Sequence, residues 1–178
     1  MSKLAANQTT MIGSMPHQLA EEAYEVLIQY PLSIPAWPQL PKRSFKEAMI
    51  PQYSEGFPGI KVDENNKRIW VERDDELPNI MAGFFENVVS ENLDAFTVSE
   101  EYAIGLHYFL HQLKARNEQL PFVKGQVTGP FTFGLGLNDQ EGKAVWFDEQ
   151  YRDVVLKGLS MKAKWQVQQL SQLKRPVI

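Results

Sequence analysis

The 178 residues carry 18 Lys and Arg against 22 Asp and Glu, a formal net charge of −4, with 43% hydrophobic and 22% charged residues. That balance predicts about one ordinary globular domain, not a disordered chain, and excludes nucleic acid and anionic membrane as partners by bulk charge. Cysteine is absent, so disulfides, thiolate nucleophiles and Cys-ligated zinc are removed, and a soluble, cytoplasmic protein is expected, with no signal peptide and no apolar run near the roughly 18 residues of a membrane span.

The first eight residues are expected to be flexible, and the whole of 1–178 to form a single domain. Thr9 to Ser14, β-branched and apolar up to a glycine, predicts a short buried strand. Pro16 and His17 turn the chain into a helix from about Leu19 to Tyr30. Its apolar residues recur at three- and four-residue steps, and Glu21 and Glu22 suit the positive end of the helix dipole. A second strand, Ser33 to Trp37, meets prolines at 35, 38 and 41 and soon becomes a stiff loop. A helix-like piece at Phe45 to Ala48 precedes the loop Gln52 to Gly59.

Ile60 to Val62 and Arg68 to Glu72 alternate around the polar tip Asp63 to Lys67, which predicts an inserted β-hairpin near 60–72. Two helices fit Glu76 to Val89 and Ser99 to Asn117, with Ser99 as N-cap. Phe122 to Val127 reads as a third strand ending at Thr128-Gly129-Pro130, followed by the glycine-rich stretch Phe131 to Gly142. A long helix over about Asp148 to Leu173, capped by Asp148, leads to a fourth strand at Pro176 to Ile178. No fixed repeat and no low-complexity tract interrupts this order.

Strands alternating with helices imply βα units on a parallel sheet. A (β/α)8 barrel needs eight strands and about 250 residues. The expectation is therefore α/β, a partial TIM-type (β/α)8 barrel of parallel strands with the hairpin inserted. Two open sheet edges would then call for a homodimer or a second half-barrel to cover them.

Ile12-Gly13-Ser14-Met15-Pro16-His17 resembles the first barrel strand of cobalamin-independent methionine synthase, and Gly125 to Thr132 resembles that family's Gly-x-x-Thr-Gly-Pro-x-Thr. Ala36 to Pro41 and the Tyr53 to Gly59 loop look more like methionine-synthase-like proteins of the same superfamily, which also contains uroporphyrinogen decarboxylase. The resemblance runs over nearly the whole chain but reaches only the N-terminal half of the family barrel. It implies a domain that contributes homocysteine or methionine binding to a methyltransferase. The substrate contacts it implies are Ile12, Gly13, Ser14, His17, Trp37, Gln39, Thr128 and Gly129, with no catalytic residue assigned.

Such a set suits a small-molecule site. Gly13 and Gly129 remove Cβ where a ligand comes close, Ser14, Thr128 and Thr132 offer hydroxyls, Trp37 and Phe131 an apolar wall, and Gln39 a donor and an acceptor. His17 is an acid, base or anion donor on one reading and a backbone-bonded loop histidine on the other. The family's zinc is held by His, Cys, Glu and Cys in the barrel's second half. That half is missing here, so no cofactor is expected in this chain, which reads as a fragment inactive alone or as a short relative.

Two other readings compete with methyl transfer. One is a decarboxylase-like or corrinoid-linked barrel, weakened because Ser14 to Leu19 contains no arginine. The other is a non-catalytic half-barrel acting as an assembly module. His107 and His111, four apart on a helix, lack the glutamate of His-Glu-x-x-His and read as a solvated flank. Glu55 reads as loop packing, and Trp146, Trp165, Met49, Met81 and Met161 as core.

Overall fold

A computed structural model describes residues 7–30, 32–116, 122–172 and 176–177 of the chain. Among these residues five α-helices and five short strands form a mixed α/β structure. They fall into two compact units, Met1–Glu47 with Ser99–Gln126 and Gln166–Ile178, and Ala48–Val98 with Val127–Trp165. No described helix is long and apolar enough to cross a membrane.

The first unit holds α1 (Ala20–Gln29) and α3 (Glu100–Arg116). Ala23, Val26 and Leu27 keep the expected spacing along α1, whereas Leu19 at its N-cap and Tyr30 at its C-cap are exposed, and Glu21 and Glu22 occupy its first turn. Ala20 and Ala23 pack with Met15 and Leu40 into a small core flanked by Val26, Leu27, Ile104 and Tyr108. Tyr24 meets Tyr108 edge-on at 5.7 Å between ring centroids, a favoured aromatic geometry. Strands β3 (Val123–Lys124) and β5 (Pro176–Val177) pair in parallel.

The second unit is built on the hairpin of β1 (Ile60–Asp63) and β2 (Arg68–Val71), whose register pairs Ile60 with Val71 and Asp63 with Arg68. Strand β4 (Asn138–Asp139) joins β2 in parallel, giving a mixed three-stranded sheet. Its helices are α2 (Leu77–Val89) and α4 (Pro130–Gly136). Phe57 lies at the centre of an aromatic core, with ring centroids 5.9 Å from Phe84 and 5.3 Å from Phe133, and Phe84 continues it to Phe96. Helix α5 (Glu149–Ser171) begins where Asp148 Oδ1 accepts the Tyr151 N–H at 2.9 Å, the predicted cap.

The expected partial TIM-type barrel is not what these residues build. The predicted strand at 9–14 contributes only the isolated bridge of Ser14 to Gln39, and the one at 33–37 only that of Ala36 to Lys124. Prolines at 35, 38 and 41 supply no N–H to a ladder, so no strand there grows past a single contact. The largest sheet lies in the other unit, is mixed, and contains the hairpin that the sequence pattern treats as an insertion. The glycine-rich stretch after Gly129 opens with an element of its own, α4. Pro130 at the first helical turn and the apolar residues Phe131, Phe133 and Leu135 make it helical, since proline is pre-organised for that position.

Candidate functional site

Six of the eight anticipated contact residues belong to the first unit and gather around the turn at Gly13 and Ser14. Gly13 O accepts the Gln39 N–H at 2.7 Å, and Gln39 O accepts the Met15 N–H at 2.9 Å. This bridge buries Gly13 between two exposed neighbours, Ser14 and the 84% exposed Ile12. A Cβ on Gly13 would stand 2.0 Å from Gln126 Nε2 and 2.6 Å from Trp37 O. Glycine is therefore required because the chain closes over it, and the space is filled by Gln126.

Gln126 organises the turn. Its Oε1 accepts the Gly13 N–H at 3.1 Å, and its Nε2 donates to Trp37 O at 3.0 Å. Behind it, the fully buried Gln166 accepts from the Gln126 N–H and from the Trp37 indole N–H, and donates to Gln126 O. Buried amides are stable only when satisfied in this way. Trp37 is fully buried, so it supports the turn from inside and presents no wall to solvent.

Lys124 brings a positive charge to the same place. Its backbone N–H is fixed on Pro35 O at 2.8 Å. Its Nζ donates to Met11 O at 3.0 Å and to Gln126 Oε1 at 3.3 Å, both neutral acceptors. No carboxylate among the described residues pairs with it, and burial holds its ammonium below the usual lysine range. The Ser14 hydroxyl makes no hydrogen bond among the described residues. The half-buried His17 has a shielded Nδ1 that also lacks a partner there. Gln39 is half-buried, with its backbone spent on the bridge.

Thr128 and Gly129 belong to the second unit. Thr128 Oγ1 donates to Met49 O at 2.8 Å, which commits the hydroxyl to the fold. Gly129 caps α4 at φ −61° and ψ 140°, with no atom within 4 Å of where a Cβ would lie; nothing in its surroundings demands glycine. Phe131 is 60% exposed and stacks edge-on against Trp146. Met49, expected in the core, is 59% exposed.

On α3, His107 is half-buried and His111 exposed. No group of three or more His, Asp or Glu able to hold a metal occurs among the described residues. With no cysteine in the chain, the zinc ligand set implied by the resemblance does not fit the residues present.

Sequence reasoning passed over Lys124, Gln126 and Gln166, and two polar clusters of the second unit. There Arg73 Nε donates to Asp139 Oδ2 at 2.9 Å and Arg73 Nη1 to Asp148 Oδ2 at 2.7 Å. Lys162, with no exposed surface, donates to Thr97 O at 3.1 Å and lies over the Phe57 ring. A signal for part of this was present. Along α5 the positions 155, 159, 162, 166 and 170 keep helical core spacing, yet two of the five are Lys162 and Gln166, and all five are buried. Comparison with family models, curated proteins and solved structures finds no match for this chain.

Proposed function

We propose that the Gly13–Ser14 turn binds the carboxylate of a small amino-acid-type molecule, and that the chain serves methyl-transfer chemistry by holding that molecule. The likeness of Ile12 to His17 and of Gly125 to Thr132 to methionine-synthase motifs makes homocysteine and methionine the first candidates. The observation that carries this reading is the Lys124 ammonium, held beside the turn by two neutral oxygens and answered by no carboxylate among the described residues. A half-buried cation in that condition keeps its attraction for an incoming anion, and an ionised partner makes the stronger kind of hydrogen bond. The exposed Ser14 hydroxyl supplies a rotatable donor on the same turn, and the His17 imidazole a further polar group. The clasp of Gln126 on Gly13 and Trp37 keeps the turn from relaxing when a ligand arrives. Binding and orientation are assigned to these residues; no proton transfer is.

Calorimetric titration of methionine and of homocysteine tests the reading. Saturable binding is expected, weakened about tenfold by Lys124→Met through loss of a charge-assisted contact and less by Ser14→Ala. Equal affinity of the wild type and a folded Lys124→Met would remove the site.

A further inference from the structure

The second unit contains a cleft of about 420 Å³ whose lining includes Arg73, Asp139, Glu141, Lys143, Phe147 and Asp148. That volume lies in the range of small-molecule sites. Its floor is built and rigid. Arg73 is tied by both carboxylates, and Asp139 Oδ1 also accepts the backbone N–H groups of Glu141 and Lys143 at 3.1 and 2.9 Å. Gly142 lies between those two residues at φ +84°, a left-handed conformation that glycine adopts without strain. The turn thus fixes where Glu141 and Lys143 leave the backbone.

What remains uncommitted defines the occupant. Asp139 and Asp148 are spent on Arg73 and on backbone donors. Lys143 and Glu141, one cation and one anion, have no side-chain partner among the described residues. Phe147 is 71% exposed and makes no ring contact there, although an aromatic side chain carries a large apolar area that is best buried. A bare phenyl ring with one free charge of each sign complements a molecule bearing a carboxylate, an ammonium and a flat apolar group. We propose that this cleft binds a free zwitterionic amino acid with an aromatic side chain, its ring on Phe147, its carboxylate toward Lys143 and its ammonium toward Glu141. No residue of the Gly13 turn takes part, so this site stands or falls independently of the function proposed above.

The test is titration of L-tryptophan into the full chain, followed by calorimetry, with Phe147→Ala, Lys143→Gln and Glu141→Gln as variants. All three side chains are exposed, so the fold is kept. Saturable binding is expected, reduced about two- to fivefold in each variant, and weaker for tryptamine and indole-3-propionate, which each lack one of the two charges. The site is overturned by absence of saturable binding, by wild-type affinity in any of the three variants, or by either half-charged analogue binding as tightly as tryptophan.

Discussion

Gln166 closes a two-bond clasp on the backbone of Gln126, its Oε1 accepting the N–H at 3.1 Å and its Nε2 donating to the carbonyl at 2.8 Å. The same Oε1 takes the Trp37 indole N–H at 3.2 Å. One fully buried side chain therefore satisfies three polar groups that hold the Gly13 turn from behind.

Replacing that side chain by an apolar one of similar size removes these three hydrogen bonds. Each contributes about 0.5–1.5 kcal/mol, and more where a buried donor is left behind, so Gln166→Leu is expected to lower stability by roughly 3 kcal/mol. Urea denaturation followed by circular dichroism measures it. A loss under about 1 kcal/mol would mean that the clasp is not a principal support of the turn.

Gly13→Ala tests the opposite kind of fault, too much volume. Its Cβ would meet Gln126 Nε2 at 2.0 Å and Trp37 O at 2.6 Å, and the second of these is backbone that has nowhere to go. Overpacking of this sort costs about 1–3 kcal/mol. Gly129→Ala, with open space around it, is expected to be near neutral. Thermal melts of the pair give the contrast, and equal shifts would contradict the close approach at Gly13.

The helices were the legible part of the fold. The apolar spacing of α1, α2, α3 and α5 and the cap at Asp148 follow from local sequence, and the hairpin from alternation around an Asn-rich tip. The sheet was not legible, because pairing depends on partners far along the chain. Thr9 to Ser14 has the composition of a strand, yet Gly13 turns inward on Gln126 and only Ser14 forms a bridge. The Gly13 cluster was half legible. Gly13 and Ser14 are recognisable as a turn from local sequence, whereas no local pattern marks Lys124 and Gln126 as its contacts. Burial decided their roles, and burial of a lone polar residue cannot be taken from spacing alone.

Lys162 gives a prediction with a sign. Burial drives its pKa down to about 8, and the Glu55 charge opposes that shift. The unfolded chain then binds more protons than the folded one between pH 8 and the ordinary lysine value, so the stability contribution rises with pH across that window. At pH 7 the full cost of burying the charge is present, of the order of 3 kcal/mol. Lys162→Met is expected to match or exceed the wild type at pH 7 and to lose that advantage by about pH 10. Urea midpoints of both proteins at the two pH values test it; a stability difference independent of pH would show that Lys162 does not titrate across the window.

The Arg73 cluster predicts a response in acid. Burial pushes the Asp139 carboxyl up, but the Lys143 backbone N–H and the Arg73 guanidinium outweigh it, and the net shift is downward. Asp148 behaves alike, with burial opposed by the Tyr151 N–H and by Arg73. Carboxylates held below their ordinary value contribute stability above it and lose that contribution as pH falls through the depressed value. Arg73→Met removes the shared cation and leaves Asp139, whose side chain is 3% exposed, with backbone donors alone. Loss of one partner of a buried pair costs about 3–5 kcal/mol. Because the Arg73 side chain is 31% exposed, solvent screening reduces that to roughly 2 kcal/mol at pH 7. In acid the wild type has more protonation-linked stability to lose than the variant, so the gap between them narrows below about pH 4. Urea denaturation of both proteins at pH 7 and pH 3 measures the gap directly. A gap of the same size at both values would mean that Arg73 stabilises the unit by packing and not through the two carboxylates.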